Sequence, residues 1–317
     1  MRHQRRASPN RKTLISVNSQ ASTRDYNPRP LTALRVMILG ASGLLGKYLV
    51  REWSLPGCVL GLSSRDVDIR NSAQTRTAVQ EHKPDWIILA AAYTDVDGCE
   101  TNSDLAMNTN FHGALNVARA ANENHSRLLF VSSDYVFDGS KTTPYEIDDL
   151  VNPHSIYGRS KAEAECGIRE ILPSCCIVRT SWVFGTGGRC FPETILKLAE
   201  TRNEIAVVND QRGCPTYARD LARAIVQLCT RNAVGTVHAT NAGNCTWFEF
   251  ASEMIRQSGL PTVVVPTTTD KFPRPAQRPK YSVLSATSLR ACGVLMPTWQ
   301  EGVQAYLHER TQRHQFD

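Results

Sequence analysis

The chain contains the run VMILGASGLLG at residues 36–46. Apolar residues with the pattern of a buried strand lead directly into glycines and then into a helical pattern, which is the context that a phosphate-binding glycine loop requires. Gly40 permits a tight exit from the strand, Gly43 lets the backbone approach a pyrophosphate, and Gly46 lets the helix pack closely on the sheet. The G-x-x-G-x-x-G spacing is a variant of the dinucleotide-binding fingerprint, so a plain glycine-rich turn stays open as the alternative.

Around this loop, short apolar runs alternate with longer helical patterns. The runs are too short and too continuously apolar for half-exposed strands, so they predict strands buried on both faces of a sheet. The alternation indicates an α/β fold with a doubly wound parallel (Rossmann) sheet, its first strand near the centre. The predicted strands are 36–39, 58–62, 86–91, 128–132 and 175–180, and the predicted helices are 44–53, 73–81, 104–122 and 155–171.

The alternation loosens after residue 180, where glycines and prolines become frequent. Such breaks are typical of a smaller, loop-rich unit beside the main sheet. We therefore predict an NAD(P)-binding domain at 35–180, to which residues 217–240 return. The remaining segments, 181–216 and 241–317, are predicted to form a C-terminal substrate-binding lobe.

The 317-residue chain carries 36 Lys and Arg, 30 Asp and Glu, and a formal net charge of +6. Residues 1–34 contain seven of the basic residues and one acidic residue, so the whole net charge lies in this leader. The neutral remainder removes the electrostatic support for binding nucleic acid. The leader lacks the apolar core of a secretory signal and is predicted to be a disordered tail or the product of an early start codon, with a transit peptide as the alternative.

Ten cysteines are spread along the chain without a C-x-x-C pair or a paired zinc spacing. This pattern predicts neither a metal site nor a disulfide framework. Many free cysteines are typical of a reducing compartment, and no apolar run approaches the length of a membrane helix. We therefore expect a cytoplasmic protein without a membrane partner.

The end of the second predicted strand bears on the choice of cofactor. A ribose-binding site usually has Asp or Glu there, whereas this chain has Ser64 and Arg65. A hydroxyl and a guanidinium suit a 2′-phosphate, so NADPH is favoured over NADH, with a solvated loop arginine as the alternative. Asp66 and Asp68 follow, and either one is expected to bind adenine or to cap the helix that begins near Asn71.

Tyr157 and Lys161 stand four residues apart in a helical pattern, which places both on one helix face. Alone this pair is weak evidence for a catalytic site. However, Ser132 and Ser133 stand at the end of the fourth predicted strand, where ligands of open α/β sheets bind. Ser, Tyr and Lys together make a carbonyl-reducing site. A phenol with a pKa near 10 is a poor acid at neutral pH, and an adjacent ammonium lowers that pKa.

With these residues the chain resembles the extended short-chain dehydrogenase/reductases, and within them the TDP-4-dehydrorhamnose reductase family. The resemblance covers about residues 35–307. Its early motifs are shared by many sugar-nucleotide epimerases and dehydratases, but S-x-D-Y-V-F-D-G at 132–139 and D-Q-x-G-x-P-T at 210–216 are far more specific. The matching stretches are 40–46, 90–97 with Glu100, 132–139, 152–153, 157–161, 179–185, 210–216 and 274–279.

The resemblance implies a role for each matching position. Tyr157 would be the general acid that protonates the sugar O4 as hydride reaches C4, and Lys161 would lower the pKa of this phenol and hold the nicotinamide ribose. Ser133 would polarise the ketone, although the family more often has Thr there. Trp182 would form an aromatic wall for sugar or base, and Asn110 would support the active-site backbone; plain packing is the alternative for both.

The same resemblance implies a set of substrate contacts and a set of cofactor contacts. For Gln211, which belongs to the substrate contacts, a turn-stabilising role is the alternative. Dehydratases place an acid where Asp134 stands, but they usually follow it with Glu, and this chain has Tyr135. The implied substrate contacts are Ser133, Asp134, Tyr135, Trp182, Asp210 and Gln211. The implied cofactor contacts are Gly40, Ser42, Gly43, Leu44, Leu45, Gly46, Ser64, Arg65, Asp68, Ala90, Ala91, Ala92, Tyr93, Tyr157 and Lys161.

The implied activity is the NADPH-dependent reduction of the 4-keto group of TDP-4-dehydro-6-deoxy-L-mannose to TDP-L-rhamnose, a precursor of cell-surface polysaccharide. One alternative is a reductase, epimerase or dehydratase that acts on another nucleotide sugar. Another is a non-catalytic nucleotide-binding subunit like the methionine adenosyltransferase β subunit. NADH in place of NADPH, a Mg²⁺ ion and a homodimer stay open on the resemblance alone.

Overall fold

The computed structural model describes residues 34–53 and 59–314. Residues 1–33 of the predicted leader and the first residue of the predicted strand 58–62 lie outside the described residues. The strands are β1 (Val36–Leu39), β2 (Val59–Leu62), β3 (Trp86–Leu89), β4 (Arg127–Ser133), β5 (Cys176–Thr180), β6 (Val183–Phe184), β7 (Glu204–Val208), β8 (Arg212–Gly213), β9 (Thr216–Tyr217), β10 (Gly235–His238), β11 (Cys245–Thr246) and β12 (Val263–Thr267). The helices are α1 (Leu44–Glu52), α2 (Ser72–His82), α3 (Val96–Thr101), α4 (Ser103–Ala106), α5 (Gly113–Glu123), α6 (Ile156–Ile171), α7 (Phe191–Ala199), α8 (Ala218–Thr230), α9 (Trp247–Ser258), α10 (Thr287–Ala291) and α11 (Trp299–His314).

The main sheet has six parallel strands in the order β2-β1-β3-β4-β5-β10. This confirms the predicted α/β fold with a parallel sheet. The expected position of the first strand is wrong: β1 has a neighbour on each side, but it lies only one strand from the edge. The reason is that the chain passes from β2 into α2 without adding a strand beyond β2, and it then returns to the other side of β1.

Both faces of the sheet are covered, which explains the continuous apolar runs. Successive residues of a strand point to opposite faces. Val36 and Ile38 therefore pack in one apolar cluster with residues of α1, α8 and α11. Met37 and Leu39 pack in a second cluster with residues of α2, α5 and α6. A strand placed between two helix layers has no solvent face, so polar residues do not alternate with apolar ones.

The predicted helix 104–122 is interrupted in the structure. The chain forms α4, then a π-helical segment at Met107–His112, and then α5. Each extra residue in such a segment shifts the helix face, and π-helical turns are frequent at functional sites. Here the segment contains Asn110, which is buried.

The chain after β5 contributes both to the main sheet and to a third apolar cluster. β10 pairs with β5, and α8 packs beside α1. Three two-stranded pairings, β7 with β12, β8 with β11 and β6 with β9, lie outside the main sheet. A separate apolar cluster joins α7, α9 and β7.

The C-terminal helix α11 is bonded to the first helix of the fold. Glu309 accepts hydrogen bonds from the Tyr48 hydroxyl at 2.7 Å and the Arg51 guanidinium at 2.7 Å, and another from the Tyr217 hydroxyl. Tyr48 and Arg51 belong to α1, and Tyr217 directly precedes α8. The end of the chain therefore holds α1 and α8 together.

Candidate active site

A cavity of about 690 Å³ opens where the carboxyl ends of β1, β3, β4 and β5 meet the chain after β5. This is the side of a parallel sheet where ligands bind. Of the predicted site residues, Arg65, Asp210 and Gln211 do not line it. The predicted residues that line it are Gly40, Ser42, Gly43, Leu44, Leu45, Gly46, Ser64, Asp68, Ala90, Ala91, Ala92, Tyr93, Ser133, Asp134, Tyr135, Tyr157, Lys161 and Trp182.

The glycine loop forms one wall of this cavity. Gly40 has a φ of +92°, and a Cβ there would lie 2.5 Å from the Ala91 nitrogen. A Cβ on Gly46 would lie 2.1 Å from the Gly40 oxygen, so the close approach is to the loop itself rather than to the sheet as predicted. Among the described residues, no side chain caps the start of α1 after Gly43. Its first N–H groups and the helix dipole therefore favour an anion at this position.

The loop after β2 lies at the edge of the cavity. Ser64 lines the cavity, whereas Arg65 is exposed, and its guanidinium has no hydrogen bond or ion pair within residues 34–53 and 59–314. Asp66 accepts hydrogen bonds from the backbone and hydroxyl of Ser63. The guanidinium of Arg65 is therefore available to an anion at this edge.

The prediction that Asp66 or Asp68 caps α2 is wrong. Asn71 caps this helix itself, because its side-chain oxygen accepts from the N–H groups of Ala73 and Gln74. Asp68 instead accepts from the Arg70 guanidinium at 2.6 Å.

Ser133, Tyr157 and Lys161 come together at the end of β4. The Ser155 hydroxyl accepts from the Gly158 N–H and so begins α6, which carries Tyr157 and Lys161 to the cavity. The Tyr157 hydroxyl lies near that of Ser133. Lys161 Nζ donates to the Val131 carbonyl at 2.7 Å. The predicted trio thus lines one cavity beside the glycine loop.

Burial shifts the pKa values of Tyr157 and Lys161 toward their neutral forms. It lowers the pKa of Lys161 to about 7, against the opposing charge of Glu165. It raises the pKa of Tyr157 above its ordinary value, and the nearby Ser133 hydroxyl opposes this only in part. The expected lowering of the Tyr157 pKa by Lys161 is therefore wrong for this geometry, since the ammonium is directed at the Val131 carbonyl.

Asp134 and Tyr135 follow Ser133 directly. Asp134 is buried, and its Oδ1 accepts from the Ser133 hydroxyl at 2.9 Å. The Tyr135 ring packs edge-on against Tyr157, with 5.6 Å between ring centroids and an interplanar angle of 78°. The Arg278 guanidinium lies near the Tyr135 hydroxyl.

Asp97 binds the loop that contains Ala276 and Arg278 and so holds this loop next to the cavity. Its Oδ2 accepts from the Arg278 guanidinium at 2.8 Å, and its Oδ1 accepts from the Ala276 N–H at 3.1 Å. Arg274 makes a longer contact at 3.4 Å. The sequence patterns around Asp97 and 274–279 both stood out, but their separation along the chain hid the fact that they pair.

Two tryptophans stack at the cavity. The rings of Trp182 and Trp247 lie 3.5 Å apart between centroids and 8° from parallel. Trp182 has a φ of +46°. A Cβ on Gly213 would lie 2.5 Å from the Trp182 ring, so position 213 admits only glycine. Trp247 lines the cavity as well, and the sequence analysis missed it because no motif surrounds it.

Asp210 and Gln211 are not among the described residues that line the cavity, so their predicted contact with a substrate stays a prediction. The Gln211 oxygen accepts from Trp247 Nε1 at 3.2 Å, and its amide nitrogen donates to the Thr269 hydroxyl. Asp210 accepts from the backbone and hydroxyl of Thr269. Gln211 therefore bonds to Trp247 directly, and Asp210 is linked to Gln211 through Thr269.

Asn110 supports the backbone beside the cavity, as the resemblance implied. Its Oδ1 accepts from the Tyr93 N–H at 2.7 Å, and its Nδ2 donates to the Tyr93 carbonyl at 3.0 Å and to the Ser160 hydroxyl at 3.0 Å. One side chain thus links the segment after β3 to α6. The π-helical segment is what brings this amide to both partners.

A buried ion pair lies next to the site and was not predicted. Glu165 accepts from Arg179 Nη2 at 2.7 Å and from the Ser132 hydroxyl at 2.6 Å. The side chains of Arg179 and Glu165 are 2% and 1% exposed. Glu165 lies one turn after Lys161 on α6, so the pair joins α6 to the ends of β4 and β5.

In the part of the chain that the structure describes, no three His, Cys, Asp or Glu side chains cluster closely enough to hold a metal ion. None of the described helices combines the length and the apolar character that a membrane crossing requires.

A Rossmann sheet with Ser, Tyr and Lys at its carboxyl edge places the chain among the extended short-chain dehydrogenase/reductases. Within this class, the chain matches the model of the RmlD substrate binding domain over residues 34–312. The chain belongs to this family.

Individual relatives agree with this assignment. The chain is 39% identical to the spore coat polysaccharide biosynthesis protein SpsK of Bacillus subtilis (strain 168), over 87% of this chain and 98% of that protein. It is 38% identical to the dTDP-4-dehydrorhamnose reductase of Streptomyces griseus, over 84% and 89% of the two chains. The crystal structure of dTDP-4-dehydrorhamnose reductase from Bacillus anthracis in complex with NADP superposes with a TM-score of 0.84 at 40% identity, over 87% and 99% of the chains.

Proposed function

We propose that this protein reduces the 4-keto group of dTDP-4-dehydro-6-deoxy-L-mannose with NADPH and yields dTDP-L-rhamnose. The observation that carries the proposal is the meeting of Ser133, Tyr157 and Lys161 in one cavity beside the glycine loop. The relatives support the substrate, since several of them are named dTDP-4-dehydrorhamnose reductase.

The cavity fits a nicotinamide dinucleotide. Gly40 and Gly46 leave a cradle that a Cβ would fill, and the uncapped start of α1 offers N–H groups to a pyrophosphate. Ser64 and Arg65 would hold a 2′-phosphate, which favours NADPH over NADH. The Bacillus anthracis relative was solved with NADP. When bound, the nicotinamide supplies the hydride.

The side chains supply the proton and the positioning. Tyr157 donates its phenolic proton to O4 of the sugar, and Ser133 donates a hydrogen bond to the same oxygen. Lys161 holds the ribose of the nicotinamide with its Nζ group. Trp182 and Trp247 present an aromatic surface to the nucleotide or sugar.

The proposal also assigns the domains of the chain, its cellular location and its partners. Residues 35–180 with 217–240 bind the cofactor, and 181–216 with 241–317 bind the substrate. We place the protein in the cytoplasm, and we assign it no nucleic-acid partner. A homodimer is part of the proposal, whereas Mg²⁺ is not, because the described residues contain no cluster to hold it.

The proposal is tested by adding dTDP-4-dehydro-L-rhamnose to the purified protein with NADPH. Oxidation of NADPH with dTDP-L-rhamnose as the product, identified by NMR, is the expected result. Turnover of a different nucleotide sugar alone would assign another reductase activity. Tight NADPH binding without turnover of any nucleotide sugar would overturn the enzyme assignment in favour of a binding subunit.

Changing Arg65 to Asp should reverse the preference for NADPH. The variant loses the guanidinium partner of the 2′-phosphate and gains a repelling carboxylate. A charge-assisted hydrogen bond contributes about 1.5–3 kcal/mol, so the ratio of kcat/KM with NADPH to kcat/KM with NADH should fall about 10- to 100-fold. Arg290→Asp is the matched control, because it makes the same charge change on the exposed helix α10. An unchanged ratio in Arg65→Asp would make Arg65 a bystander.

Changing Trp247 to Ala should weaken substrate binding more than chemistry. Trp182 loses its stacked neighbour, and an aromatic pair contributes about 0.5–1.5 kcal/mol, so KM for the nucleotide sugar should rise about 2- to 10-fold at similar kcat. Trp247→Phe keeps a stacked ring without the bond to Gln211 and should lie between the two. Steady-state kinetics check this, and an unchanged KM in the Ala variant would remove the tryptophan pair from the substrate site.

A further inference from the structure

Asp134 carries a carboxyl group whose two oxygens are in different situations. Its Oδ1 accepts from the Ser133 hydroxyl at 2.9 Å. Its Oδ2 is buried and has no hydrogen-bond partner among the described residues. The residue borders the cavity and is 1% exposed. A buried ionised carboxylate with an unpaired oxygen is costly, so the geometry favours a neutral carboxyl group.

The Ser133 hydroxyl has only one proton to donate. Its oxygen already accepts from the Tyr135 N–H at 3.2 Å. An ionised Asp134 accepts only, and it therefore binds the Ser133 proton. A protonated Asp134 donates instead to the second lone pair of the Ser133 oxygen, which frees the hydroxyl proton for the cavity.

We propose that Asp134 is a positioning residue that works in its protonated form, and that its carboxyl proton turns the Ser133 hydroxyl toward the substrate ketone. The inference rests on the proposed reductase function and deepens it. In this arrangement Ser133 donates to the ketone oxygen, Asp134 donates to Ser133, and Tyr157 keeps its own proton for O4. No proton is consumed at Asp134, so one protonation state serves every turnover.

Within residues 34–53 and 59–314, Asp134 makes no ion pair. The ionisable groups that face it are Tyr135 beside it, Tyr157 from α6 and Cys214 from the turn after β8. Arg278 reaches Tyr135, and Cys99 of α3 faces Tyr157. Burial raises the pKa of Asp134 to about 6, and the nearby hydroxyls of Ser282 and Ser133 oppose this only in part. Lys161 also lines the cavity, and burial lowers its pKa to about 7.

The test is the pH dependence of kcat/KM for the nucleotide sugar in wild type and in Asp134→Asn. Wild type loses its working form as Asp134 ionises. Its profile should therefore have an inflection at the pKa of Asp134, above which kcat/KM falls about tenfold per pH unit. The amide of Asp134→Asn keeps a donor for Ser133 and does not ionise. The variant should lack this inflection, retain the one from Lys161, and exceed wild type at alkaline pH.

A control variant and an independent measurement accompany this test. Asp104→Asn removes an exposed carboxylate from α4 and should leave the profile unchanged. An infrared difference spectrum between wild type and Asp134→Asn should contain a protonated carboxyl band at acid pH that fades as the pH rises.

Four results distinguish a failure of the role proposed for Asp134 from a failure of the proposed reductase function. The same inflection in wild type and Asp134→Asn, or a folded but inactive Asp134→Asn, would overturn the role of Asp134. Absence of the carboxyl band would do the same. Absence of turnover in wild type would instead overturn the reductase function, while the infrared measurement would still decide the protonation of Asp134.

Discussion

Tyr157→Phe should lose nearly all turnover while it binds NADPH almost as well as wild type. The substitution removes one hydroxyl and keeps the ring that packs edge-on against Tyr135. General acid catalysis contributes about 100- to 10,000-fold, so kcat should fall by a factor in this range. NADPH oxidation measures the loss, and a fluorescence titration with NADPH measures the retained binding.

A matched tyrosine distinguishes the loss of the acid from the loss of any hydroxyl. Tyr281 is partly exposed and lies outside the cavity, so Tyr281→Phe should turn over at the rate of wild type. Substantial turnover by Tyr157→Phe would show that another group protonates O4. Loss of NADPH binding in the same variant would move Tyr157 from chemistry to cofactor binding.

Arg179→Met should destabilise the fold by about 3–5 kcal/mol, because it leaves the charge of Glu165 buried without its main partner. Two guanidinium nitrogens of Arg179 contact this carboxylate, Nε at 2.9 Å and Nη2 at 2.7 Å. Arg169 and the Ser132 hydroxyl remain as partners, but the Arg169 side chain is 42% exposed. Urea unfolding followed by circular dichroism measures the loss.

The pH dependence of this loss has a defined sign. Burial by itself raises the pKa of Glu165, and the hydrogen bonds and charge of Arg179 outweigh it and hold that pKa below its ordinary value. In wild type, this stabilisation is present above the unfolded pKa of Glu165 and is lost as the pH falls through the lower folded pKa. In Arg179→Met the folded pKa rises, so the deficit relative to wild type should shrink as the pH falls.

A double variant provides the control. Replacing both members of a buried pair by apolar residues is often nearly neutral, so Glu165→Leu with Arg179→Met should be more stable than Arg179→Met alone. If the double variant were the less stable of the two, the cost of Arg179→Met would come from lost packing against Phe137 rather than from an unpaired charge.

Much of the sheet could be predicted because its strands are buried on both faces. A run such as 36–39 is apolar throughout, and a glycine loop ends it, so its bounds agree with β1. β10 was not predicted as a strand, since Gly235–His238 is short and its partner β5 is distant in sequence. The interruption of the predicted helix 104–122 was missed as well, because a π-helical turn does not change the residue types that favour a helix.

The site was predictable where residues lie near each other in sequence or at strand ends. Tyr157 and Lys161 are one helical turn apart, and Ser133 ends β4. The stacking of Trp182 on Trp247 and the pairing of Glu165 with Arg179 depend instead on how distant segments pack. Asp210 and Gln211 belong to a recognisable motif, but a motif does not reveal whether a side chain touches a ligand or supports the residue that does.

The position of β10 has a consequence for synthesis on the ribosome. β5 is an interior strand only after β10 has paired with it, and α1 is fastened at Glu309, near the end of the chain. A nascent chain that has emerged only through β5 therefore exposes an open sheet edge and an uncovered side of α1. Domains commonly fold as they emerge, but this sheet cannot pair its β5 edge or cover α1 until β10 and α11 have been made. Chaperone binding to ribosome-held chains should therefore persist until α11 has left the exit tunnel.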